Sequence, residues 1–235
     1  MHHGPCLKPC SPFQVAKALL IILMLCCLTH CRHVPVDGNK IGLPVNLDEI
    51  EKKINTFAPD PTYTDDPFIL VTLKEALMGG RERNGGIGAC LVRETTGEVM
   101  ERSHNRQYEP YFRSDLHAEM DLLNRYEERA RITRSRDPKD PTFRNPRNMT
   151  GLVLYTSVEP CPMCLTRIIN AGVKKVYYAL TDDNGGMAHR FDNLPPFWRS
   201  MAQGIILEHA RCSPELKEIA QKLFRPMFMQ KRTVP

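Results

Sequence analysis

Apolar and polar positions along the chain fall into runs of two periods, and the alternation between those runs outlines the fold. DPFILVTLKEALMGG carries apolar residues at helical spacing, with Asp66 placed to cap a helix, Pro67 suited to its first turn and Gly79–Gly80 placed to end it. Two β-rich runs follow within GACLVRETTGEVMERSHN, separated by Thr95, Thr96 and Gly97, and read as a hairpin. LHAEMDLLNRYEERA predicts a helix from near His117, with Met120, Leu123 and Tyr126 on one face, and a loop from about Ile132 to Asn148. GLVLYTSV then reads as a strand, CPMCLTRIINAG as a helix ending at Gly172, and VKKVYYAL as another strand. Leu216, Ile219, Ala220 and Leu223 recur at helical spacing and predict a core-facing terminal helix. Strands alternating with helices in this way predict an α/β domain layered about a central sheet.

The start of the chain follows a different pattern. An apolar run, Ala18 to Leu28, follows Lys8 and Lys17 and gives way to polar residues, which matches the h-region of a signal peptide and falls short of the ~20 residues that span a bilayer. Residues 1–31 are therefore expected to be a signal peptide or lipoprotein-like leader, residues 32–66 a linker with one loosely packed turn or helix, and residues 67–230 the folded domain. Cys31 stands where a lipid would attach, although His30 occupies a position where a small residue is usual. A genuine leader implies export, with membrane contact confined to it; an uncleaved anchor or an overextended start are the other readings, and the last implies the cytoplasm.

Composition narrows the classes only slightly. With 42% hydrophobic and 25% charged residues, wholesale disorder is excluded, and a net charge of +5 is too small to argue for nucleic acid. Five of the nine cysteines (Cys6, Cys10, Cys26, Cys27, Cys31) lie in the leader, so the body is no disulfide scaffold. Cys90 reads as a buried strand residue and Cys212 as structural. No glycine-rich phosphate loop is present, and phosphoryl transfer finds no support.

The chemistry concentrates in EPCPMC. Cys161 and Cys164 would share one face of a helix's first turn, where the dipole favours thiolates; that suits a metal, a redox disulfide or a buried core alike. His117 and Glu119, in HAE at the start of another helix, decide between them. One histidine and two cysteines supply three ligands to a tetrahedral zinc and leave the fourth position for water, the arrangement of a catalytic site. Glu119 then has a function as a proton carrier. His104 and His189 are isolated in the sequence and supply no closing fourth ligand.

HAE with PCPMC resembles the zinc-dependent cytidine/deoxycytidylate deaminase superfamily, whose H-x-E…P-C-x-x-C signature these residues match. GIGACLV, SHNR, LHAEM, GLVLYTSVEPCPMC, RIINAGVKKVYYAL and ILEHARCSPELKEIAQKLF are similar, in order, to segments of tRNA adenosine deaminases and their guanine deaminase relatives. The resemblance implies a three-layer α/β/α sandwich with a mixed central sheet. It implies one Zn2+ per chain held by His117, Cys161 and Cys164, with Glu119 as the catalytic proton shuttle. Asn105 and the backbone N–H of Ala118 would bind the substrate, and His189 falls in a loop that faces substrate in related enzymes. The implied partner is a nucleobase or nucleoside, or tRNA, and the implied assembly a dimer. A non-catalytic, exported zinc-binding protein that keeps the fold, and a thiol redox protein, are the rivals from other classes. One departure stands out: His117 and Cys161 are 44 positions apart, more than the resemblance leads one to expect. The added stretch, Arg125 to Met149, carries eight Lys or Arg against four Asp or Glu and reads as a solvated excursion of an outer helix or, beside an active site, as a surface that meets phosphates.

Overall fold

The computed structural model describes residues 45–137, Lys139 and residues 149–230, and side-chain burial as far as Phe224. The leader with Cys31, and the part of the basic stretch at 138 and 140–148, lie outside these residues. No helix among the described residues is long and apolar enough to cross a membrane.

Five strands form one mixed sheet: β1 (Gly88–Arg93), β2 (Val99–His104), β3 (Leu152–Val158), β4 (Lys175–Leu180) and β5 (Ile206–His209), in the spatial order β2-β1-β3-β4-β5. β1 runs antiparallel to both its neighbours, while β3, β4 and β5 are parallel. The helices are α1 (Leu47–Thr56), α2 (Asp66–Arg81), α3 (Ala118–Arg136), α4 (Pro162–Ala171), α5 (Pro196–Met201) and α6 (Pro214–Gln230).

The two-residue period of the strands sorts their side chains onto two faces. Cys90, Val92, Val153 and Tyr155 pack in one core with Ile50 and Ile54 of α1, Leu73 of α2 and Leu216 and Leu223 of α6. Their alternates Ala89, Leu91, Leu152 and Leu154 pack in a second core with Leu122 and Tyr126 of α3 and Ile168 of α4. This is the expected α/β/α sandwich with a mixed sheet. Cys90 and Cys212 both sit in the first core, as expected of structural thiols.

Several local expectations differ from the structure for identifiable reasons. Within the stretch expected to link, α1 is capped by the Asn46 side chain and buries Ile50 and Ile54 in the core. Asp66 caps nothing: it lies inside α2, fully buried, and accepts the N–H of Ser213 at 2.7 Å, tying α2 to the start of α6. α2 runs past Gly79–Gly80 to Arg81, and α3 continues to Arg136 through residues whose period suggested a loop. Arg125 and Arg129, in the basic stretch, pair with the buried carboxylate of Glu101, so these two charges are engaged within the fold.

His104 is not isolated. It is buried at the end of β2, with Nδ1 2.9 Å from Glu75 and Nε2 2.9 Å from Glu82. Both partners are acceptors, so the ring bridges them only with both nitrogens protonated. Burial opposes the charge, but the bonds and charges of Glu75 and Glu82 outweigh it, and the pKa is raised. Because the folded value lies above the unfolded value of about 6.5, this stabilisation is fully present below pH 6.5 and is lost as pH rises through the folded value. Thermal melts of the wild type and His104→Gln should therefore differ most in mildly acidic buffer, by about 1–3 kcal/mol, and converge at alkaline pH; a difference that grows with pH would refute the clamp.

Candidate metal centre

β1 and β3 bring two helix starts to one end of the sheet. His117 occupies the position before α3 in extended backbone (φ −66°, ψ 157°), and Cys161 the same position before α4 (φ −70°, ψ 170°), with Pro162 opening that helix. Cys164 follows in the first turn of α4 and is buried. The histidine Nδ1 lies 3.7 Å from Cys161 Sγ and 3.6 Å from Cys164 Sγ, and the three donor atoms fall within 4.8 Å of one another. A tetrahedral ion at ordinary Zn–S and Zn–N lengths separates sulfur from nitrogen by about 3.6 Å. The donor set fits zinc in identity and spacing, and it is the only such cluster among the described residues.

The electrostatics fit the same role. A hydrogen bond from Cys164, and after it the one to His117, overcomes burial and draws the Cys161 thiol down to about 4. Cys164, bonded to Cys161 and buried, is pushed well up. Glu119 lies in the first turn of α3, 4% exposed, and its carboxyl is raised chiefly by burial and secondarily by the charge at Cys161. The Thr156 hydroxyl approaches it at 3.4 Å.

His117, Glu119 and Cys161 open onto a cavity of about 150 Å³. Asn105 lines it. Its Oδ1 accepts the N–H of Gln107 at 2.9 Å, which leaves the amide nitrogen beside Gly85, where a Cβ would stand 2.6 Å from it. Ala118 is fully buried at the first position of α3, where an N–H lacks an intrahelical acceptor, but it is not among the residues lining the cavity. Tyr108 and Phe224 supply apolar wall, and Asn84 fixes the Tyr108 segment by accepting the N–H groups of Tyr108 at 2.7 Å and Glu109 at 3.0 Å. No lysine or arginine lines the cavity among the described residues; its charged walls are the carboxylates of Glu119, Glu159 and Asp182.

His189 does not line the cavity. It pairs with Glu159, Nδ1 to Oε1 at 2.8 Å, and so is not isolated. Sequence reasoning passed over Glu159, Asp182, Tyr108 and Phe224. For Glu159 a signal existed, a lone carboxylate directly after a strand buried along its whole length. A larger cavity, about 280 Å³, lies at the opposite end of the sheet against Phe68, Tyr155, Tyr177 and Lys175, and holds none of the metal set.

Known proteins resemble this chain in sequence and in fold. The profile of the cytidine and deoxycytidylate deaminase zinc-binding region matches residues 62–180, about half the chain, and that of MafB19-like deaminases matches residues 142–227. The tRNA-specific adenosine deaminase of Bacillus subtilis is 32% identical over 130 residues, covering 55% of this chain and 70% of the relative. That of Rickettsia typhi is 25% identical over 156 residues, covering 64% and 94%. Among solved structures, NE0047 in complex with 2,6-diaminopurine is 18% identical with a TM-score of 0.51, covering 83% of this chain and 96% of that one, a likeness of fold.

Cys161→Ser should weaken zinc binding by more than the roughly 10–100-fold that loss of an outer partner costs, so that dialysed protein loses stoichiometric metal by elemental analysis. Retention of one zinc per chain would remove Cys161 from the ligand set.

Proposed function

Because the chain belongs to the cytidine and deoxycytidylate deaminase zinc-binding family, zinc-dependent hydrolases acting on C–N bonds, we propose that it replaces the exocyclic amino group of a nucleobase ring with a carbonyl and releases ammonia. The observation that carries this reading is Glu119: a buried carboxyl with a raised pKa, two residues beyond His117, opening on the same cavity as His117 and Cys161.

His117, Cys161 and Cys164 would hold the zinc, which when bound supplies the Lewis acidity that makes water nucleophilic near neutral pH. Glu119 takes the proton that water gives up as its oxygen bonds to the ring carbon. It then delivers that proton to the departing amine as the C–N bond breaks, so one side chain serves as base and acid in turn. Its raised pKa brings it closer to neutrality, where both transfers are efficient. Asn105 presents its amide N–H groups to an acceptor on the ring or sugar, while Tyr108 and Phe224 flank the ring and exclude bulk water. With no lysine or arginine among the described lining residues, the cavity favours an uncharged base or nucleoside, and any phosphate belongs outside it.

A second reading keeps the chemistry and places the base in tRNA. The relatives named tRNA-specific adenosine deaminases favour it. So do Tyr111 and Phe112, 63% and 64% exposed, with Phe112 5.9 Å from the Tyr108 ring that lines the cavity; exposed aromatics of this kind stack on unpaired bases.

Ammonia release by zinc-loaded protein against bases, nucleosides, nucleotides and a tRNA anticodon stem-loop distinguishes the two. Glu119→Gln should keep its zinc and lose about 10²–10⁴-fold in turnover on whichever substrate reacts. Wild-type turnover in that variant would take Glu119 out of the mechanism, and a zinc-loaded wild type inert on the whole panel would overturn the proposed function.

A further inference from the structure

We propose that Glu159 is a positioning residue for this reaction: its carboxylate fastens segment 181–190 in place as one wall of the substrate cavity. The inference rests on the reading of that cavity as the substrate site.

Glu159 leaves the end of β3 with its side chain wholly buried. A buried carboxylate persists only when its oxygens are satisfied, and here every partner comes from the one segment. Oε2 accepts the Asp182 N–H at 3.0 Å, Oε1 accepts the His189 N–H at 2.7 Å, and the His189 ring donates from Nδ1. The Arg190 Nε–H donates to His189 Nε2 at 2.7 Å, which fixes Nδ1 as the protonated nitrogen facing Glu159. The segment closes on the carboxylate tightly: a Cβ on Gly186 would stand 2.5 Å from Glu159 Oε2, and the Met187 N–H reaches the Pro160 carbonyl at 2.9 Å. Asp182 and Gly185, within the fastened segment, line the cavity beside Glu159 itself. A carboxylate receiving three N–H donors from residues seven apart therefore defines where that wall stands. Its charge is spent inward, on the segment, while its backbone continues through Pro160 into the metal-binding turn.

The carboxamide of Glu159→Gln sets an N–H against donors and should release the segment while keeping side-chain volume. Gly186→Ala should displace the segment and leave Glu159 intact. Hydrogen exchange followed by mass spectrometry reads the clamp without any substrate. In either variant the 181–190 amides should exchange roughly 10–100-fold faster, with zinc content and exchange elsewhere unchanged. On a substrate that the wild type turns over, KM should rise by about tenfold while kcat stays within about threefold. His189→Ala, which keeps both main-chain bonds, should shift KM in the same direction by less. Unchanged exchange in folded variants overturns the clamp; faster exchange with unaltered KM, or a fall in kcat alone, overturns its use in holding substrate. If Glu159→Gln fails to fold, Gly186→Ala decides on the same criteria. A wild type that deaminates nothing overturns the functional reading, and exchange still decides the clamp.

Discussion

Two helix starts whose side-chain donor atoms lie within 4.8 Å of one another govern this molecule. A donor set of one imidazole and two thiols binds zinc only if its atoms converge on a point, and here they arise from residues 44 apart in sequence. The sheet makes the convergence. β3 pairs with β1 through five residue pairs, and Ala118 and Ile168 lie in a single core over their common face, so α3 and α4 start at the same sheet end. The positive ends of both helix dipoles meet at the metal set, where they favour the Cys161 thiolate. Packing of the apolar side chains between these helices and the sheet is thus what holds one nitrogen and two sulfurs at a spacing that suits a common ion.

Around that point the protein buries carboxylates in two different ways. Glu119 is approached by the Thr156 hydroxyl at 3.4 Å and hydrogen-bonded with Cys164, and burial still leaves its pKa raised. Glu159, equally buried, is surrounded by N–H donors from one segment and serves as its anchor. The two lie on the same cavity, and the difference in their hydrogen bonding separates chemistry from architecture.

The alternating strands and the metal set were legible in sequence because both depend on local spacing: period two for the strands, i to i+3 for Cys161 and Cys164, i to i+2 for His117 and Glu119. Helix ends were less so. The α3 pattern fades at Ile132, yet Glu128 and Arg131 pair on its outer face and the helix continues. Asp66 looked like a cap because aspartate before proline usually is one; its partner, Ser213, is 147 residues away, and no local pattern records such a contact. His104 and His189 looked alone for the same reason, their carboxylates standing 22 to 30 residues distant. The cavity walls were the least legible part. They come from six separated segments whose meeting is a property of the sheet.

That division of labour has an evolutionary consequence. The metal set and Glu119 stand at two helix starts, whereas cavity residues near 85–87, 105–108, 182–185 and 224 lie on other segments that carry none of the metal set. Mutations can therefore explore new substrates in one set of segments while the reactive centre is inherited unchanged from the other, and a single scaffold can diversify its specificity without passing through an inert intermediate.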